Sequence, residues 1–343
     1  MIGYYAHSHG SGHCVSGQYL AKNLDTEMTI FTSKNYNFSL HQNQVIYLDT
    51  EDQMEEEYSA ALKNLPAYAH YLPKSHSGIK RRVAHLLNSI IERNINLLLV
   101  DVSVEVAALV RLASTPYLYC RMMGYRDDLP HTIAYNSAEM MFAFYPQVME
   151  SNIYFEKYGS KTFYLGFISQ YPVESKYFTH SNMNEPMGLK ISIITGQGGT
   201  KINESFINNV AAMLPECQVQ IVGVLPEGKE FLPNVSPIGI VENIRKYVIE
   251  SDVVIASAGM NLTAEVLALK NKFICIAEDR PYEEQISIVK KLVEAEVAVE
   301  IDQFDIRGAI IKYLRLPRRK EIGKWFCNVD RLAEFQQKIV QIV

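Results

Sequence analysis

Three histidines, His7, His9 and His13, crowd around Gly10, Ser11 and Gly12 directly after the apolar residues 1–6. An imidazole with an ordinary pKa of about 6.5 takes up or gives off a proton near neutral pH. A histidine of this loop could thus serve as a base, or as the donor to a departing anion. His7 and His9 read equally well as polar loop content. Glycines allow a backbone to come close to a ligand, and a helix beginning just after them offers N–H groups to an anion, so Gly10 and Gly12 belong to the candidate site. The dinucleotide spacing G-x-G-x-x-G fails, because Gly10 and Gly12 are followed by Cys14, Val15 and Ser16, and no G-K-[ST] triplet supplies a P-loop.

A second glycine turn, Gly196-Gln197-Gly198-Gly199-Thr200, follows the strand expected over 190–195. Its backbone N–H groups suit an anion, and it reads alternatively as a purely structural tight turn. The plan of the N-terminus, strand then glycine turn then helix, thus recurs in the second half. Two Rossmann-like halves follow, with the cleft between them as the expected site.

The densest group of polar candidates lies in residues 251–285. Val253, Val254, Ile255 and Ala256 read as a strand buried on both faces, ending at Ser257-Ala258-Gly259. Asn261 is the expected N-cap of a helix over 262–269, which puts Thr263 and Glu265 in its first turn. A second strand over 273–277 leads into a charged loop holding Glu284 and Gln285. Ligands of open α/β sheets gather at the carboxyl ends of strands, where both loops fall. Alone, Glu265 is also accounted for as a first-turn carboxylate favoured by the helix dipole by ~0.3–1 kcal/mol.

Further strands are expected over 29–32, 45–48, 97–100, 117–119 and 219–224, with a long helical region over 54–93. The strand at 97–100 ends in Asp101 and Ser103, again at a ligand-bearing edge. The loop 121–131 carries Arg121 and Arg126, suited to bidentate binding of an anionic group, or alternatively to ion pairs of Arg126 with Asp127 or Asp128. Residues 74–82, with Lys74, Lys80, Arg81 and Arg82, read as a solvated basic face or as a site for an anionic surface.

The chain of 343 residues is long enough for two domains with buried cores. Hydrophobic residues at 48% and charged residues at 21% exclude a disordered chain. A net charge of -5 provides no general attraction to nucleic acid, so any anion site is local. The five cysteines lack C-x-x-C spacing and read as reduced thiols, neither a disulfide frame nor a zinc site. No basic leader and no long apolar run is visible, so a cytoplasmic protein is expected, touching the inner face of a membrane at most peripherally.

The stretch 251–285, with Asp252-Val253-Val254, Ser257-Ala258-Gly259, Thr263-Ala264-Glu265 and Glu284-Gln285, resembles the donor motif of nucleotide-sugar glycosyltransferases of family 28. This is the type that includes the N-acetylglucosaminyltransferase of peptidoglycan synthesis and galactolipid synthases. The loop ending in Gly10, Gly12 and His13 resembles their N-terminal loop, and that of a nucleotide-sugar hydrolase.

The resemblance implies an α/β protein of the GT-B fold, two facing Rossmann-like domains with a C-terminal helix returning to the first. The corresponding divisions are 1–180 for the acceptor side, 181–318 for the donor side and 319–343 for the helix. It implies inverting, metal-independent transfer of a hexose-type sugar from a nucleoside diphosphate, by family habit UDP, to a hydroxyl acceptor. Lipid-linked and polysaccharide precursors are among the acceptors it allows.

Carried over by position, Gly196, Gly198, Gly199 and Thr200 hold the diphosphate and Ile244 packs on the base. Glu265 holds the ribose, Glu284 and Gln285 meet the sugar, and Ser257, Gly259 and Thr263 complete the donor side. Gly10, Gly12, Asp101, Arg121 and Arg126 fall on the acceptor side, with His13 as the catalytic group. No cofactor beyond the nucleotide-sugar and no metal is implied. Two other readings share these residues: a nucleotide-sugar hydrolase or non-hydrolysing epimerase, and a donor-binding partner subunit without catalysis. In the tail, Arg315, Arg318, Arg319, Lys320 and Lys324 precede Trp325-Phe326, a combination that also suits a membrane interface.

Overall fold

The computed structural model describes residues 1–50, 65–173, 186–196, 201–226, 230–301, 304–317, 319 and 321–343. It comprises two α/β units. Unit 1 is Met1–Met122, Arg126–Gly166 and Cys327–Val343; unit 2 is Met123–Tyr125 and Phe167–Phe326.

Unit 1 is built on β1 (Ile2–Ala6), β2 (Met28–Thr32), β3 (Val45–Tyr47), β4 (Leu97–Asp101), β5 (Tyr117–Cys120), β6 (Met140–Ala143) and β7 (Thr162–Tyr164). They form one parallel sheet in the order β3-β2-β1-β4-β5-β6-β7. The central strands β1 and β4 are buried along their whole length, as apolar runs covered by helices on both faces must be. The strand order reverses between β1 and β4, and that switch point opens a crevice at their carboxyl ends. Helices α1 (Gly12–Asn23), α2 (Ser77–Glu92), α3 (Val104–Leu112), α4 (Leu129–Ser137) and α5 (Asn152–Tyr158) belong to this unit.

Unit 2 repeats the plan with β8 (Lys190–Thr195), β9 (Gln218–Gly223), β10 (Val235–Gly239), β11 (Val253–Ser257), β12 (Phe273–Ile276) and β13 (Ala298–Glu300). The order is β10-β9-β8-β11-β12-β13, all parallel, with its switch point between β8 and β11. Its helices are α6 (Glu204–Met213), α7 (Arg245–Glu250), α8 (Met260–Lys270), α9 (Glu284–Glu294) and α10 (Ile306–Arg315). Ile191, Ile193, Ile221, Val253 and Ile255 from the strands meet Val210 and Ile310 from the helices in one buried cluster. Each such side chain contributes about 1.5–3 kcal/mol by leaving water.

The chain returns to unit 1 through α11 (Val329–Ile342), which buries Leu332, Phe335 and Ile339 at helical spacing. The Phe335 ring lies 5.7 Å from that of Phe142 and 5.3 Å from that of Phe163.

Several expectations change. Within the helical region expected over 54–93, the described residues form a helix only at Ser77–Glu92, and 51–64 lie outside the described residues. Pro66 and Pro73 precede it, and prolines disfavour helix in the residue before them. In the basic stretch, Arg82 is not on a solvated face. It is buried beneath the Tyr5 ring and donates to Ser33 Oγ and the Asp49 carbonyl.

The passage from unit 1 to unit 2 comes at Gly166–Phe167. Phe167 N–H already donates to the Trp325 carbonyl of unit 2 at 2.7 Å. Trp325 itself is buried against Phe167 and so presents no indole face at a membrane interface. The five cysteines are free thiols, four of them buried. Among the described residues no helix is long and apolar enough to cross a membrane.

Candidate functional site

At the β1–β4 switch point, parallel pairing sets Ala6 beside Asp101. The strands therefore deliver the loop 7–12 and the Asp101 carboxylate to the same edge. Asp101 is buried, and its Oδ2 accepts a 2.6 Å hydrogen bond from the Tyr4 hydroxyl and lies 2.9 Å from His13 Nδ1. Burial pushes the Asp101 carboxyl up. The His13 charge and the hydrogen bonds from His13 and Tyr4 more than offset this, so its pKa falls below the ordinary carboxylate value.

Tyr4 remains a donor, because burial and then the Asp101 charge raise its phenol well above the usual range. An anionic carboxylate at Nδ1 selects the tautomer protonated there, which makes Nε2 the proton-accepting nitrogen of His13. His13 stands in the first turn of α1, whose N-cap Ser11 makes no side-chain capping bond. The His7 ring stacks on His9 at 4.8 Å and meets His13 edge-on at 5.9 Å. Gly10 takes φ +72°, a left-handed conformation that glycine adopts without a steric penalty.

Arg121 and Arg126 are both buried. Arg121 leaves β5 with its N–H on the Phe142 carbonyl and its Nη2 on Glu150 Oε1 at 3.1 Å, while the guanidinium lies 3.9 Å from the Tyr154 ring centre. Glu150 also accepts from the Tyr145 and Tyr164 hydroxyls. In place of a surface receptor for an acceptor anion, the structure has a core ion pair at Arg121. Arg126 Nη1 stands 3.5 Å from His131 Nε2. Asp128 turns to α4, capping it by accepting from His131 N–H at 3.0 Å. Ser103 likewise caps α3.

In unit 2 the β8–β11 switch point carries Gly196 after β8, Ser257 as the last residue of β11 and Gly259 two residues beyond it. Among the described residues, none lies within 4 Å of where a Cβ on Gly196 would stand. Gly198, Gly199 and Thr200 lie outside the described residues.

Helix α8 begins at Met260 with Gly259 as its N-cap, since the Gly259 carbonyl already accepts from Thr263 N–H at 2.8 Å. Asn261 is therefore inside the first turn instead of capping it, and Glu265 falls in the second turn, beyond the strongest reach of the helix dipole. Burial raises the Glu265 pKa, opposed by a 2.8 Å hydrogen bond that its Oε1 accepts from Gln170 Nε2. Thr263 is fully buried, with no partner for its Oγ1 among the described residues.

Gln170 also donates to the Tyr171 hydroxyl, which donates to Asn243 Oδ1 at 3.0 Å. Asn243 Oδ1 in turn accepts from Arg245 N–H at the start of α7, where Ile244 is the N-cap. A polar relay thus joins Glu265 to the Ile244 turn. Sequence reasoning missed Gln170, Tyr171 and Asn243 as parts of this site; Ser169-Gln170-Tyr171-Pro172 has the composition of a linker, and no local signal separates it from one.

Gln285 is buried, its Oε1 accepting from Glu278 N–H at 2.9 Å, and its Nε2 lies 3.8 Å from the Cβ position of Gly259. The two loops of the 251–285 stretch therefore meet. Glu284 opens α9, just after Tyr282 at φ 62° and Glu283 at φ 53°. Two consecutive left-handed non-glycine residues mark stored backbone strain of the kind found at ligand clamps. Lys201 ties the other glycine turn to the same loop, with its N–H on Glu278 Oε2 and its Nζ on the Ala277 carbonyl and Asp279.

Two parallel sheets with flanking helices, with the loop after β1 and Gly196 after β8 at their switch points, define a protein of the GT-B fold. No known sequence family matches the chain, and no curated protein does. Solved structures do. The spinosyn rhamnosyltransferase SpnG complexed with thymidine diphosphate aligns at a TM-score of 0.62 and 11% identity, covering 99% of this chain and 96% of that one. Acinetobacter baumannii MurG aligns at 0.58 and 12%, covering 98% and 94%. S. aureus MnaA in complex with UDP aligns at 0.63 and 9%, covering 100% and 98%. The chain shares their fold over its whole length.

Proposed function

We propose that this protein is a glycosyltransferase that moves a hexose-type sugar from a nucleoside diphosphate to a hydroxyl acceptor, with inversion and without need of a metal. The observation that carries the proposal is the His13–Asp101 pair at the β1–β4 switch point. In this reading His13 Nε2 takes the acceptor hydroxyl proton as that oxygen attacks the anomeric carbon from the face opposite the diphosphate. The bond from the anomeric carbon to the diphosphate oxygen breaks, and the electron pair leaves with the diphosphate. Asp101 stabilises the imidazolium that forms, and its proton passes to solvent or to the departing diphosphate.

Gly196, Gly198, Gly199 and Thr200 bind the diphosphate, together with Ser257 and the N-terminus of α8 at Gly259. Oriented N–H groups stabilise charge that develops on a leaving group, which is the role a metal has elsewhere. Glu265 holds the ribose hydroxyls and the Ile244 turn meets the base, with Gln170, Tyr171 and Asn243 joining the two. Glu284 and Gln285 orient the sugar. The neighbours solved with thymidine diphosphate and with UDP make these the first carriers to test. A lipid-linked or polysaccharide precursor is the acceptor class proposed, in a cytoplasmic setting.

The test is thermal stabilisation by UDP, TDP, GDP and CMP and their sugars, in wild type and in Glu265→Ala. A ligand at about 100 times its dissociation constant adds ~2.7 kcal/mol. One diphosphate should raise the melting temperature of wild type and not of Glu265→Ala. If no nucleotide does so, the donor reading fails. Free sugar released without an acceptor would instead make His13 the activator of water, and the protein a nucleotide-sugar hydrolase.

A further inference from the structure

We propose that His70, Asp128 and His131 in unit 1 form a binding site for one divalent transition-metal ion of the zinc type. One ligand atom from each residue lies within 4.8 Å of the other two. His70 Nε2 stands 3.2 Å from Asp128 Oδ1, and His131 Nδ1 stands 2.9 Å from Asp128 Oδ1 and Oδ2. Tetrahedral zinc with ligands at about 2.0–2.1 Å keeps its ligand atoms roughly 3.3 Å apart; both separations from Asp128 are within a few tenths of an ångström of that, and the exposed His70 ring swings in to close the remaining pair, which the 4.8 Å limit bounds. Two imidazoles and a carboxylate are a ligand set for zinc, and three protein ligands leave a fourth position for water or an anionic group.

Each ligand is held by an interaction of its own, independent of any ion. Asp128 is fixed as the N-cap of α4, with its Oδ1 on His131 N–H. His131 is 1% exposed in the first turn of that helix. The backbone at His70 is pinned by Glu105 Oε1, which accepts from the N–H groups of His70 and Tyr71 at 2.7 and 2.9 Å. Glu105 is itself braced by the Ser103 hydroxyl. The opposing charge is Arg126, whose Nη1 stands 3.5 Å from His131 Nε2. Affinity therefore depends on the Asp128 carboxylate, the one anionic ligand of the three.

The site does not rest on the glycosyl-transfer reading and is tested without turnover. Purified full-length protein is titrated with Co²⁺, read by its visible absorption, and its zinc content after dialysis is measured by mass spectrometry. Wild type should bind one equivalent and melt several degrees higher with Zn²⁺. His70→Ala, at an exposed ligand, and Asp128→Asn, which keeps a good helix cap, should each lower the affinity at least tenfold and lose the melting shift. Failure of wild type to retain an equivalent of metal would overturn the proposal. So would retention of that equivalent with unchanged affinity in both variants, which would assign the ion to the His7, His9 and His13 loop.

Discussion

Asp101 Oδ2 lies 2.9 Å from His13 Nδ1 and holds the imidazole from a buried position, with the Tyr4 hydroxyl donating to the same oxygen. The carboxylate sets both the tautomer of the histidine and the stability of its charged form. In the proposed reaction, His13→Ala and Asp101→Asn should each lower kcat by about 10²–10⁴-fold, the range general-base catalysis supplies. Stabilisation by the nucleoside diphosphate should be unchanged in both. Variants that lose nucleotide stabilisation together with turnover would place His13 and Asp101 on the donor side instead.

The same pair imposes a pH dependence on folding. The folded pKa of Asp101 lies below its unfolded value of about 3.9, so the unfolded chain binds the extra proton first. The stabilisation is fully present above about pH 4 and is lost as pH falls below that, through the folded value. Melting curves of wild type and Asp101→Asn should converge on acidification below pH 4. A difference that stays constant across this range would remove the carboxylate from the account.

Glu265 carries the opposite sign. Burial raises its folded pKa, so the folded state favours the protonated acid, and ionisation near neutral pH opposes folding. Its unfavourable contribution begins as pH rises past the ordinary glutamate value of about 4.3 and levels off above the folded pKa. Glu265→Gln should therefore match or exceed wild type in melting temperature at pH 7 while losing stabilisation by nucleotide. A site kept at a cost to stability is the usual mark of function. An unstable Glu265→Gln that still binds nucleotide would make the residue structural.

Arg121 and Glu150 should behave as a buried ion pair. Glu150→Ala leaves the guanidinium in the core with one edge uncompensated, and a loss of about 3–5 kcal/mol in denaturant unfolding is expected. Replacing both residues by methionine should cost clearly less than Glu150→Ala alone, as measured by a double-mutant cycle. Equal losses in the single and double variants would mean that packing, and not charge, decides the stability here.

Much of the scaffold is legible without coordinates, because its signals are local. The short β-branched stretches at residues 190–195 and 253–256 read as buried strands, and each is followed by glycine within three residues. Strand, turn and helix repeated in two halves already define the fold class. Strands β6, β7, β10 and β13 escape: β10 is a mostly exposed edge strand carrying Pro237, and the other three offer only three or four residues of pattern. The start of α8 shifts to Gly259 because an extended glycine carbonyl can open the helix as well as an asparagine side chain.

Local sequence thus determined which residue types stand at the carboxyl ends of the strands: histidine and glycine after β1, aspartate at the end of β4, glycine after β8 and glutamate on the helix after β11. Only the tertiary structure decided how those side chains are paired. It set Asp101 on His13, turned Arg121 to Glu150 in the core, brought Gln170 to Glu265, and gathered His70 to Asp128 and His131. The physical reason is that parallel strands are joined through helices, so their ends meet in space while remaining far apart in the chain. A hydrogen bond between two such ends depends on strand order and register, which no single stretch of sequence contains.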